Sequence, residues 1–336
     1  MADAGKEVEV DMSPFLCVYK DGSVCRNEIQ PLLPPSPEPG VDGASKDITL
    51  NEGLGLWARL FLPSYPPPSH KPRLSIVLYF HGGGFLFGSP AWSNFHFFCS
   101  EMAKLSSSIC ISASYRLAPE HRLPTSIDDG FSALQWLHSQ ALLQGEGKHE
   151  LMDPWLVNAD FSKCFIAGES AGGALAHHVT TRAFNKPLSS ASWEPMCIRG
   201  MILIHPGFMK STRTQEELDC YQDDLMNWAL ADSCFTLVLP VGSSKDNPYF
   251  NPLPAITCRD SVFVLPKALV TLADNDALHF VGLEYVRALK DAGCHVDMVM
   301  AHGVGHVFFI AQPDSEQAQV MMQRITKFIA EEDKPL

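Results

Sequence analysis

Two glycine-rich turns, each directly behind an apolar run, constrain this chain more than any other feature. The first is His81-Gly-Gly-Gly84-Phe85, behind Leu74-Ser-Ile-Val-Leu-Tyr79. The second is Gly168-Glu-Ser-Ala-Gly172, behind Lys163-Cys-Phe-Ile-Ala167 and ahead of a helix-like stretch. A serine pressed onto a tight strand-to-helix turn is held out at the end of a sheet, where a nucleophile is needed. A loop of bare backbone N–H groups can receive the oxyanion that forms when a nucleophile attacks a carbonyl. Either turn alone occurs by chance. Both together, each behind a strand and in this order, point to a serine hydrolase.

The rest of the chain supplies a frame for them. Asp47–Leu50 and Leu56–Leu62 read as an antiparallel pair around Asn51-Glu-Gly53. Apolar strands then alternate with helices whose apolar residues recur every three or four positions: Phe95, Phe98, Met102 and Leu105, then Ile127, Phe131, Leu134 and Leu137. Strands at Gly200–Ile204, Ala268–Leu272 and His295–Met300 continue the pattern, and a last helix carries Met321, Ile325, Phe328 and Ile329. This is an α/β chain with a mostly parallel sheet flanked by helices on both faces. Active sites of such sheets lie at the carboxyl ends of the strands, where both glycine-rich turns fall. The alternation breaks over residues 206–254, which hold a candidate helix at Thr214–Ala231 and then four prolines. Residues 1–45 stand apart as well: a proline-rich stretch from Pro31 to Gly40 follows a short apolar piece around Phe15–Tyr19. A break of this length in a regular α/β chain reads as a functional insertion. The expected organisation is one domain over residues 1–336, with residues 1–45 as an arm and 206–254 as an insertion.

Composition removes several classes of function. The chain has 336 residues, 46% of them hydrophobic, enough for one large core. Its 25 basic and 38 acidic residues leave a net charge of −13, with no basic cluster to track a nucleic-acid backbone. No apolar run reaches the roughly 18 residues of a membrane span, and no secretory or transit pattern is visible. Ten scattered cysteines, with no C-x-x-C pair, read as reduced and mostly buried. A cytoplasmic location is expected, with the nucleus left open beside it. Oligomeric state is not readable.

A serine hydroxyl needs a histidine to take its proton and a carboxylate to orient that histidine. In a sheet of this kind the chain order is serine, acid, histidine. The nucleophile is Ser170. Of the histidines after it, His306 in Gly303-Val-Gly-His306 follows the last strand on a glycine-containing turn, and His302 is the runner-up. Two carboxylates follow the preceding strand, Asp274 and Asp276; Asp276 is preferred, with Asp274 capping the helix or facing solvent. The oxyanion loop spans His81, Gly82, Gly83 and Gly84. Its donors are the N–H groups of Gly83, Gly84 and Ala171, and His81 holds the loop. Glu169 is read as orienting that loop. Phe85 and Phe87 are candidate walls of an apolar pocket. The chemistry calls for no metal and no cofactor, and its partner is a small-molecule ester.

These residues resemble the hormone-sensitive-lipase-like plant carboxylesterases of the α/β-hydrolases. The resemblance rests on His81-Gly-Gly-Gly84, Tyr115-Arg-Leu-Ala-Pro-Glu-His-Arg-Leu-Pro124 with Asp128-Asp129, Gly168-Glu-Ser-Ala-Gly-Gly173, Asp276-Ala-Leu278 and Gly303-Val-Gly-His306. Lys20-Asp-Gly-Ser23 also fits, so it spans the chain from about residue 12. It implies an α/β-hydrolase fold, the triad Ser170, Asp276 and His306, and a cap built from the arm and the insertion. It also implies hydrolysis of short-chain, acetyl-like esters of small hydrophobic or specialised metabolites through an acyl-enzyme. One position departs from the group's pattern, Phe280, where an acidic residue is frequent. Two relatives set the alternatives. Gibberellin receptors lose the histidine that this chain keeps at His306, and 2-hydroxyisoflavanone dehydratases carry threonine where this chain has Ser170. A lyase or cyclase using the same triad, or a small-ligand receptor, is therefore the competing reading.

Overall fold

A computed structural model of the chain describes residues 5–38, 43–63, 73–185, 193–220, 227–258 and 264–331. In chain order the elements are β1 (Val8–Met12), β2 (Leu16–Tyr19), β3 (Val24–Arg26), β4 (Ala44–Asn51), β5 (Leu56–Leu62), β6 (Leu74–Phe80), α1 (Ser93–Ser106), β7 (Ser108–Ala113), α2 (Thr125–Gly145), β8 (Ala159–Glu169), α3 (Ala171–Asn185), β9 (Ile198–Ile204), α4 (Gln215–Asp219), α5 (Trp228–Val238), α6 (Leu253–Thr257), β10 (Lys267–Ala273), α7 (His279–Asp291), β11 (Val296–Ala301), α8 (Phe308–Ala311) and α9 (Glu316–Ala330).

Eight strands form one sheet in the order β11-β10-β9-β8-β6-β7-β5-β4. The pairs from β11 to β7 are parallel, and β7–β5 and β5–β4 are antiparallel. Side chains of β6 show why the sheet needs cover on both faces. Ile76, Leu78 and Phe80 enter one buried cluster, while Val77 and Tyr79 enter the other. Both sets are withdrawn from water, which is how a strand between two helical layers stabilises itself. Helix α9 closes one face with Met321, Ile325 and Phe328, all buried and spaced by three or four.

Register brings the chemistry to one edge. Phe80 pairs with Gly168, Glu169 with Ile204, and Ala273 with Ala301. The segments that follow these strands, 81–84, 170, 205, 274–276 and 302–306, therefore leave the sheet side by side.

The arm is more ordered than its proline content implies. β1, β2 and β3 make a separate antiparallel sheet. Arg26 at its end donates from Nε to the Leu86 carbonyl at 2.6 Å and pairs with Glu120. The expected helix over Thr214–Ala231 is instead two. Thr214 and Glu217 form a reciprocal cap that starts α4, and the Asn227 side chain accepts from Leu230 N–H to start α5. Residues 221–226 lie outside the described residues. Five of the ten cysteines, Cys17, Cys99, Cys110, Cys164 and Cys234, are buried, fewer than the sequence reading expected. No described helix is long and apolar enough to cross a membrane.

Candidate active site

Ser170 sits between β8 and α3 at φ +50°, a left-handed conformation that costs a non-glycine residue energy. Its N–H donates to the Ile204 carbonyl at 2.9 Å, which fixes the turn against the neighbouring strand. The flanking glycines are required by space. A Cβ on Gly168 would stand 2.1 Å from the Gly172 carbonyl oxygen, and one on Gly172 would stand 2.1 Å from that of Phe80. The serine is thereby raised on a turn that only these glycines can make.

His306 approaches it from the loop after β11. His306 Nε2 lies 2.8 Å from Ser170 Oγ, and its Nδ1 lies 2.7 Å from Asp276 Oδ2. Asp276 is 2% exposed, and its Oδ1 accepts from Leu278 N–H at 2.9 Å. Burial alone would raise this carboxyl, but His306, His205 and the Leu278 N–H together hold it below the usual range. A carboxylate so placed holds the imidazole in the tautomer that leaves Nε2 free to accept. The two runners-up find each other instead. His302 Nδ1 is 2.9 Å from Asp274 Oδ2, and the Gly303 N–H donates to Asp274 Oδ1 at 2.7 Å. His302 is 73% exposed, so this second pair sits on the surface, away from Ser170.

Gly83 (φ +110°) and Gly84 (φ +62°) turn the loop expected to receive the oxyanion, and both line the cavity that Ser170 faces. Their N–H groups and that of Ala171 make no hydrogen bond among the described residues. A Cβ on Gly83 would fall 2.1 Å from the Phe87 carbonyl oxygen. Gly82 differs from its neighbours: its N–H donates to Glu169 Oε1 at 3.2 Å and is turned away from the cavity's donors. His81 is also set back. It is 1% exposed, stacks on Tyr115 at 4.5 Å, and its carbonyl accepts from Tyr115 Oη at 2.8 Å. Burial lowers the His81 imidazole to about 4, so it is neutral. Below it Arg116 grips Asp129 through Nε and Nη2, at 2.9 and 2.7 Å. The Tyr-Arg segment and Asp129 thus form the loop's foundation.

Two buried groups stand beside the serine: Glu169, expected to orient the oxyanion loop and found accepting from Gly82 of that loop, and His205, to which the sequence reading gave no role. Glu169 is 2% exposed; burial pushes its carboxyl up to about 7, against the pull of His306 and of the Gly82 N–H. His205, at the end of β9, is 1% exposed and has φ +44°. Its Nδ1 accepts from the Val307 N–H at 3.0 Å and lies 3.7 Å from Asp276 Oδ2. Burial lowers it to about 3, so Nε2 carries the proton. The sequence held one hint: a histidine at the end of a parallel strand beside the nucleophile's. His205, Asp276 and His306 offer ligand atoms within 4.8 Å of one another. Those atoms already hydrogen-bond to Val307, Leu278, Ser170 and each other, which suits proton handling and not a metal shell.

Ser170 faces a cavity of about 130 Å³. The arm contributes Phe15 and Ile29 to its lining, and α5 contributes Leu230 and Cys234. Phe87 lines it and stacks on Phe15 at 4.6 Å. Phe85 does not line it. At φ +62° its side chain turns inward, is 0% exposed, and packs edge-on to Tyr115 and Phe250. Phe280, the departure from the expected pattern, lies with its ring tilted 34° to that of His279, centroids 3.9 Å apart.

The family profile of the α/β-hydrolase fold matches residues 77–310. Carboxylesterase 20 of Arabidopsis thaliana is 34% identical over 323 residues, covering 92% of this chain and 93% of the relative. Tuliposide A-converting enzyme b1, amyloplastic, of Tulipa gesneriana is 31% identical over 326 residues, covering 96% of this chain and 80% of the relative. Among solved structures, an esterase from Pyrobaculum calidifontis superposes with a TM-score of 0.68 at 27% identity, covering 85% of this chain and 84% of that one.

Proposed function

This chain belongs to the α/β-hydrolase fold family, within its hormone-sensitive-lipase-like plant carboxylesterases, and from that membership we propose that it hydrolyses short-chain esters of small hydrophobic metabolites through an acyl-enzyme on Ser170. That it is a carboxylic ester hydrolase follows from its relatives. The observation that carries the mechanism is the unbroken chain of contacts from Ser170 Oγ through His306 to Asp276, at 2.8 and 2.7 Å.

In the proposed cycle Ser170 Oγ attacks the ester carbonyl as His306 Nε2 takes its proton. The oxyanion rests on the N–H groups of Gly83, Gly84 and Ala171. Asp276 steadies the imidazolium, which then protonates the departing alcohol. Water repeats the steps on the acyl-enzyme and frees the acid. Glu169 holds the oxyanion loop through Gly82, and His81 with Tyr115 supports it from beneath. The arm and the 206–254 insertion act as a cap, a role supported by Phe15, Ile29, Leu230 and Cys234 on the cavity wall. A cavity of about 130 Å³ suits a short acyl group.

The test is hydrolysis of p-nitrophenyl acetate, butyrate and octanoate by wild type and Ser170→Ala. Turnover by wild type that collapses in the variant, falling off with acyl length, is expected. No turnover by folded wild type would return the reading to a lyase or a receptor.

A further inference from the structure

Helix α1 carries apolar residues on a face that does not reach the core. Phe95 and Met102 are buried, but Phe97 is 62% and Leu105 47% exposed. Phe97, Glu101 and Leu105 recur every four residues and so share one stripe. Opposite that stripe lies α9. Between them runs a groove of about 590 Å³, floored by Phe98, Phe309, Met321 and Met322. Asn94 and Ile310 line both this groove and the cavity at Ser170. The two spaces therefore adjoin at Asn94 and Ile310.

Size makes the groove useful. Ligand pockets commonly enclose roughly 300–1,000 Å³, and the reacting cavity holds about 130 Å³. An ester larger than a short acyl group on a small alcohol must extend past it. The arm and α5 close one side with Phe15, Ile29 and Leu230. His306, and after it Val307 and Ile310, line the cavity as well. A leaving oxygen has to stand beside His306 Nε2 to receive its proton. The part of the substrate that points toward Ile310 is then the alcohol.

We propose that the groove between α1 and α9 receives the apolar tail of the substrate's alcohol part, entering past Ile310 and Asn94. This assignment rests on the esterase reading above. It makes the enzyme selective for short-acyl esters of long apolar alcohols, with Phe97 and Leu105 gripping the tail far from the reacting bond.

The experiment compares acetate esters of ethanol, butanol and octanol with ethyl octanoate, using wild type, Phe97→Asp and Leu105→Asp, followed by acid release. Both substitutions are at exposed helix positions, and melting curves close to wild type are expected for each. In wild type kcat/KM is expected to rise with alcohol length. Each variant should lose about tenfold or more on octyl acetate, keep ethyl acetate within about twofold, and treat ethyl octanoate as wild type does. Phe97→Leu should restore octyl acetate. Octan-1-ol binding to Ser170→Ala protein, measured by calorimetry with and without Phe97→Asp, gives a reading independent of turnover, and about tenfold weaker binding is expected. A flat alcohol profile in wild type, an unchanged octyl-to-ethyl ratio in the variants, a loss that falls on ethyl octanoate instead, or equal octanol affinity would overturn the assignment while leaving any ethyl acetate turnover as support for the esterase. A wild-type dimer that Phe97→Asp dissociates would give the face to a second copy and overturn it as well.

Discussion

Val307 donates its backbone N–H to Nδ1 of His205 across 3.0 Å, and both residues sit at positive φ, +47° and +44°. The bond ties the residue next to His306 to the strand next to the nucleophile. Removing the acceptor leaves a buried N–H unpaired, at a cost of about 1–3 kcal/mol. His205→Ala should therefore lower kcat by roughly tenfold or more with KM little changed. Asparagine tolerates left-handed backbone and can present Oδ1 near the position of Nδ1. His205→Asn should recover most of the rate. Equal losses in the two variants would show that the imidazole itself, and not its acceptor, matters.

Asp274 and Asp276 give a sharp contrast two residues apart. Asp276→Asn keeps the shape but removes the charge that fixes the His306 tautomer. Its kcat should fall by about 10⁴-fold. Asp274→Asn alters only the exposed contacts to His302 and the Gly303 N–H and should stay within about twofold. A steady-state comparison of the two on one acetate ester decides which carboxylate serves the histidine.

The oxyanion loop predicts unequal glycines. Gly83→Ala sets a Cβ 2.1 Å from the Phe87 carbonyl oxygen, so the loop has to move. Gly84→Ala meets Cys234 Sγ at 3.1 Å and Leu86 Cδ1 at 3.9 Å, and its φ of +62° is nearer to what alanine can adopt than the +110° of Gly83. Rate should fall by about 10²–10³-fold in the first, the size of a lost oxyanion donor, and by less in the second. Reversal of that order would mean that the N–H of Gly84 carries more of the oxyanion than that of Gly83.

Glu169 links the site to pH. Its carboxyl titrates at about 7 in the fold, against a usual 4.5. Between those values the folded chain keeps a proton that the unfolded chain has released. Stability then falls as pH rises from 4.5 to 7, by roughly 3 kcal/mol for this group alone. Glu169→Gln removes the titration and can still accept from Gly82. Its Tm relative to wild type should climb between pH 5 and pH 8. A constant difference across that range would sink the prediction.

Buried histidines act in the opposite direction. Burial lowers His81 and His178 to about 4 and His205 to about 3, all below the usual 6.5. Unfolded, these groups take up protons as pH drops below 6.5, and folded they do so only near 3–4. Stability is lost across that window. Thermal melts from pH 7 to pH 4 should show a steady fall in Tm, shallower in His205→Asn.

Much of this was legible in the sequence because the signals are local. Alternating apolar runs and amphipathic helices, a serine between glycines and a histidine after the last strand each occupy a few neighbouring residues. What escaped depends on distant partners. Phe85 follows the oxyanion loop as a wall residue should, yet a positive φ rotates it into Tyr115 and Phe250. The Thr214–Ala231 stretch has helical composition throughout, but separate caps at Thr214 and Asn227 begin two helices. His205 stands 101 residues before His306 in the numbering, and nothing in its own neighbourhood announces that they touch.

Arg26 anchors the arm to Leu86 and Glu120, while Phe15 and Ile29 of the same arm complete the wall around Ser170. In the proposed reading, part of the wall that a substrate meets is thus supplied by a segment that belongs to neither the central sheet nor its helices. Exchanging some thirty residues at the front of the chain would redraw the chamber and leave the reacting atoms where they are. Such a division would place the choice of guest in a detachable margin, apart from the architecture that carries the chemistry.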